Sequence, residues 1–70
     1  MNRTMKLAVA EFREVLRQNP DEDLKQNFRS YLIAKGITEP DEEDLMEAAL
    51  AVGIPEDELA EFVEEFGSRL

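Results

Sequence analysis

Gly36-Ile37-Thr38-Glu39-Pro40-Asp41-Glu42-Glu43-Asp44-Leu45 is echoed seventeen residues later by Gly53-Ile54-Pro55-Glu56-Asp57-Glu58-Leu59. Each copy runs Gly-Ile, then Pro, then an acidic cluster, then an apolar run. Glycine tolerates the left-handed backbone that stops a helix. Proline fits the first helical turn, where its missing N–H costs nothing, and the helix dipole favours acids there. The pattern is therefore one stop-and-start signal used twice, and two units are too few for a solenoid. It predicts a helix ending before Gly36, one over residues 40–52 capped by Thr38 or Glu39, and one over 55–69. Ile37 should tuck into the core just past its glycine.

Upstream, Met1, Met5, Ala8, Val9, Phe12, Val15 and Leu16 share one face at about 100° per residue, which predicts a helix over 3–18. Arg3, Lys6, Arg13 and Arg17 occupy its other side with Glu14, and Leu7 points away from the apolar face. Asn19-Pro20 stops this helix, since the residue before proline disfavours the α region. The same dipeptide can cap the next helix, predicted over 20–35, with Asp21, Glu22 and Asp23 in its first turn. Its apolar stripe is Leu24, Phe28, Tyr31 and Leu32, with Ile33 facing away and exposed.

The helix over 40–52 is apolar around most of its circumference, through Leu45, Met46, Ala48, Ala49, Leu50 and Val52. Such a helix belongs at the centre of a bundle or against a partner. The last helix lines Leu59, Phe62, Val63, Phe66 and Leu70 along one face, with Asp57, Glu61, Glu64 and Glu65 opposite. No segment alternates with period two, so no strand is expected. The fold class is all-α, a compact bundle of four short helices in one domain spanning residues 1–70. The expected core is Met5, Val9, Phe12, Leu16, Leu24, Phe28, Tyr31, Leu32, Leu45, Ala49, Val52, Leu59, Phe62, Val63 and Phe66.

Charge placement restricts function. The net charge is −9, and residues 37–70 carry twelve acids against Arg69 alone. That field repels nucleic-acid phosphates, so no direct nucleic-acid binding is expected through this half. Four cations on the first helix, mixed with Glu11 and Glu14, read as an ordinary solvated face. Hydrophobic residues make up 43% of the chain, too many for a disordered acidic tail. No apolar run approaches the roughly 20 residues a membrane span needs, and residues 1–16 are too polar for a signal segment. The expectation is a cytoplasmic protein.

The inventory for chemistry is thin. There is no Cys and no His, which removes thiolate ligands, disulfides and the commonest general base. Ser30 and Ser68 lack a candidate base beside them. The acids crowd into first turns and solvent faces, where nothing desolvates one to raise its pKa. A calcium loop needs Gly at its sixth position. Counting from Asp41 that position is Met46, and from Asp21 it is Gln26. No enzyme activity, metal or cofactor is expected.

What remains is binding. The expected partner is a protein with a basic surface, met through Glu47, Asp57, Glu61, Glu64 and Glu65 on the outer faces of the last two helices. One alternative is an acidic nucleic-acid mimic of the kind that bacteriophage and mobile elements carry. The other is an apolar-patch adaptor or self-associating homodimer using Met46 and Leu50, with Leu7 and Ile33 as further exposed apolar residues for self-association. The plain counter-reading of Met46 and Leu50 is that a small bundle buries the wide face of its central helix.

Overall fold

The computed structural model describes residues 1–20 and 23–68. Among these, four α-helices and one 3-10 turn account for the regular structure, with no strand: α1 Arg3–Gln18, α2 Leu24–Ala34, α3 Glu42–Val52, the 3-10 turn Glu56–Glu58, and α4 Leu59–Ser68. The fold is an all-α bundle. Its radius of gyration is 10.9 Å, against about 11 Å for a compact domain of this length.

α1 starts where the sequence places it. The Asn2 side chain accepts a hydrogen bond from the Met5 backbone N–H at 2.8 Å, satisfying one of the donors that a helix start leaves open. Met5, Ala8, Val9 and Phe12 are buried, and Leu16 is half-buried. Val15 lies at the edge of the stripe and is 47% exposed, which corrects its expected place on the buried face. Leu7 is 61% exposed, as expected.

The starts of the other three helices move from their predicted positions. Asn19 closes α1, donating its N–H to the Val15 carbonyl at 2.8 Å, and α2 begins at Leu24 after Asp23 rather than at Pro20. α1 and α2 meet through the ring of Phe12, which lies 5.0 Å from that of Phe28 and 5.2 Å from that of Tyr31. The expected roles of Asp21 and Glu22 lie outside the described residues. Asp41 occupies the N-cap position of α3 in place of Thr38 or Glu39, without a side-chain capping hydrogen bond, and Pro40 precedes it. Pro40 and Leu45 then occupy the N′ and N4 positions of a hydrophobic staple. Pro55 precedes the 3-10 turn of Glu56–Glu58, and the α-helical part of the last element starts at Leu59. Its expected end at Arg69 and the extension of its stripe to Leu70 fall outside the described residues.

Both glycine stops form as predicted. Gly36 has φ +84° and Gly53 φ +103°. The following isoleucines reach back five residues, Ile37 N–H to Leu32 O at 2.9 Å and Ile54 N–H to Ala49 O at 3.0 Å. That is the Schellman closure, and it carries each isoleucine onto the core. Ile54 is buried and Ile37 half-buried.

The buried side chains form one cluster. Phe12, Phe28, Phe62 and Phe66 run through it as a chain of rings with centroids 5.0, 6.0 and 6.2 Å apart, joining α1, α2 and α4. α3 packs against both α1 and α4 and contributes Leu45, Ala48, Ala49 and Val52. The core differs from expectation at several places. Ala8, Ala48 and Ile54 join it, while Leu16, Leu24, Tyr31 and Val63 are only half-buried against it. Ile33 is half-buried on the core rather than exposed. Met46 packs partly against the core, as the plain counter-reading holds, but Leu50 is 49% exposed. A helix gripped on two sides still leaves its third side to solvent, and Leu50 falls there.

Candidate functional site

The acids of the second half separate into two groups. The first is compensated within the fold. The Met1 ammonium lies 3.4 Å from Asp44 Oδ1 and 3.4 Å from Glu47 Oε2. Lys25 of α2 approaches Glu58 Oε1 at 2.8 Å and Glu61 Oε1 at 3.7 Å. Hydrogen bonding to Glu58 raises the Lys25 pKa, and the charges of Glu58, Glu61 and Glu65 add to it. The Met1 ammonium is likewise pushed up, first by Asp44 and then by Glu47. These contacts tie the residue ahead of α1 to α3, and α2 to the 3-10 turn and α4.

The second group has no such compensation. Glu39, Asp41, Glu42, Glu43, Glu56, Asp57 and Glu64 are exposed and take part in no ion pair among the described residues. Of the acids singled out from sequence, Asp57 and Glu64 belong here, whereas Glu47 and Glu61 have cationic neighbours and Glu65 also has an interaction partner. The uncompensated charge is therefore centred on residues 39–43 and 56–57, in the connections and first turns. In the sequence those acids read as helix-initiation signals, favoured by the helix dipole.

Met46 and Leu50, four residues apart, are not equivalent. Met46 packs on the core, while Leu50 opens into a shallow hollow of about 320 Å³ shared with Leu16 and rimmed by Arg13 and Arg17. Arg17 pairs with Glu14 at 3.2 Å within α1. Arg3, Lys6 and Arg13 are exposed and make no ion pair with α3 or α4 among the described residues. The first helix keeps a solvated basic face, and the exposed Leu50 borders it.

A more apolar groove lies on the acidic side. It has a volume of about 310 Å³ and runs between the 38–42 connection and the end of α4, with Leu45 and Phe66 at its base and Pro40 and Val63 beside them. Glu39 and Glu42 stand on its edge. This groove was not anticipated from the apolar stripes of the separate helices. The five-residue spacing of Pro40 and Leu45, the staple register before an acidic first turn, is the signal that could have placed an apolar wall there.

Three further features complete the surface. Arg29 lies 5.9 Å from the centroid of the Phe66 ring, and its buried Nε has no hydrogen-bond partner among the described residues. No three described acids gather as a metal ion would require. No helix among the described residues is long and apolar enough to cross a membrane. Compared with known proteins, the chain matches no family model, no curated protein and no solved structure.

Proposed function

We propose that this protein is a small binding module that docks a basic surface of another protein through the acidic faces of α3, the 3-10 turn and α4. The observation that carries the reading is the unequal compensation of its acids. Seven exposed carboxylates on residues 39–64 have no ion pair among the described residues, although Lys25 and the Met1 ammonium neutralise others nearby. Concentrated like charge destabilises the compact state through self-repulsion, and a basic partner relieves it. Steering by such a field speeds association and makes it sensitive to salt.

The test is a titration of the protein with a Lys-rich peptide, followed by amide chemical shifts, at low salt and at about 0.5 M salt. The expected result is binding at low salt, with shifts at residues 39–43 and 56–64, weakened by at least tenfold at high salt. Affinity unchanged by salt, or no binding, would sink the acidic-face reading. If a native partner proves to be a nucleic-acid-binding protein, competition by DNA for the same complex would place this module among phosphate mimics. Leu50 supports a second reading, in which a cation-bordered apolar hollow meets another surface or a second copy. That reading predicts salt-tolerant association that Leu50→Asp abolishes.

A further inference from the structure

We infer that the groove between the 38–42 connection and α4 is an anchor pocket for one bulky apolar side chain, presented by a cationic segment of the partner. The inference rests on the acidic-face reading and adds to it the place and chemistry of the central contact.

Two separate observations meet at this groove. The first is shape and lining. Leu45 and Phe66 close its base and the half-buried Pro40 and Val63 border it, leaving about 310 Å³ of open space. That is at the lower end of the volumes that ligand pockets occupy, and suits one side chain better than a whole small molecule. The second is charge. Glu39 and Glu42 on the edge are exposed and without an ion pair among the described residues, and Asp41 and Glu43 beside them are in the same state. An apolar side chain arriving alone would gain nothing from those carboxylates. A Leu or Phe flanked by Lys or Arg would fill the groove and place its cations on the edge, so each half of the ligand answers one half of the site. Interfaces commonly concentrate their energy this way, in an anchor within a pocket surrounded by a polar rim.

Two other hollows among the described residues do not combine these features. The one lined by Lys25, Arg29, Glu61 and Glu65 has charges of both signs and a smaller volume of about 200 Å³. The one beside Leu50 is edged by Arg13 and Arg17, which repel the same ligand.

The experiment uses two short Lys-rich peptides that differ only in a central residue, Leu in one and Ala in the other. Each is titrated into the wild-type protein and into Thr38→Trp, a substitution at an exposed position on the groove wall that places a large ring over the opening. The Leu peptide is expected to bind the wild type roughly tenfold more tightly than the Ala peptide, the difference that burying a branched side chain supplies. Its shifts should centre on Leu45, Val63 and Phe66, and in Thr38→Trp the advantage should vanish, the two peptides binding that variant with equal affinity. Equal affinities of the two peptides for the wild type, or a Leu advantage that survives in Thr38→Trp, would overturn the anchor pocket and leave the acidic-face reading intact. Failure of both peptides to bind would remove both. Concentration-dependent shifts at the same groove residues in the peptide-free protein would name a second copy as the occupant and overturn the proposal.

Discussion

Glu11 is held from two directions. The Tyr31 hydroxyl donates to its Oε2 at 2.6 Å, and the Lys35 ammonium approaches the same oxygen at 2.6 Å. Lys35 is the larger influence and Tyr31 the second, and together they hold the Glu11 carboxyl below its ordinary value of 4.5. A carboxyl whose pKa is lowered on folding stabilises the fold above its unfolded pKa, and that contribution is lost as pH falls through the folded value. Tyr31→Phe keeps the ring beside Phe12 and removes the donor. Following the Glu11 side-chain carboxyl carbon by NMR should show its titration moving up toward 4.5 in this variant, and further still in Lys35→Met. An unmoved titration in both would mean the contacts do not persist in solution. The Met1 ammonium has the opposite sign: raised on folding by Asp44 and then Glu47, it supports the fold below its ordinary pKa of 8.0 and is lost as pH rises through the folded value. The melting temperature should therefore fall as pH climbs above about 8, and fall less steeply in Asp44→Asn.

At the scale of elements, the three glycines make a graded test. A Cβ on Gly53 would meet only Leu24 Cδ2, at 3.9 Å, so space is not the obstacle; its φ of +103° is. Gly53→Ala should cost about 1–2 kcal/mol through left-handed strain alone. Gly36, at φ +84° with nothing within 4 Å, should cost a similar or slightly smaller amount. Gly67 sits inside α4 with ordinary helical backbone and open space around it. Gly67→Ala should stabilise by roughly 0.5–1 kcal/mol, since alanine loses less backbone freedom on forming a helix. Urea denaturation of the three variants checks the order, and a stabilising Gly53→Ala would refute the account of the helix stop. These stops were legible because a Gly-Ile pair after an apolar run has few other uses. Helix starts were less legible. Asn19-Pro20, Thr38-Glu39-Pro40 and Ile54-Pro55 all carry start signals, but the α-helices begin two to four residues after each proline, at Leu24, Glu42 and Leu59, the last behind the 3-10 turn of Glu56–Glu58.

Across the whole molecule, charge opposes the fold that the core supports. The net charge of −9 is concentrated in the second half, and the ion pairs that offset it are on the surface. Exposed pairs contribute about 0–1 kcal/mol each, so screening them loses little, whereas screening the repulsion among uncompensated acids gains stability. Raising salt from about 0.02 M to about 0.5 M should therefore raise the melting temperature. A drop would mean that the pairs of Lys25, Lys35 and Met1 outweigh the repulsion. The same treatment should weaken binding of a cationic peptide, and these opposite responses to one variable distinguish binding from general destabilisation.

The sequence by itself determined the helical class, both glycine stops, the extent of α1 and most of the core stripe, because periodicity and local backbone preference act within a few residues. Tertiary structure alone decided which acids of the second half are neutralised. Lys25 reaches Glu58 and Glu61 across more than thirty residues of chain, and Met1 reaches Glu47 across forty-six. It also decided that Leu50 remains exposed while Ile33 does not, since α3 is covered on two sides and α2 turns inward at Phe28 and Leu32. The groove beneath Glu39 and Glu42 belongs to this second kind. Its two sides come from residues eighteen or more positions apart, brought together only when α4 packs against α3.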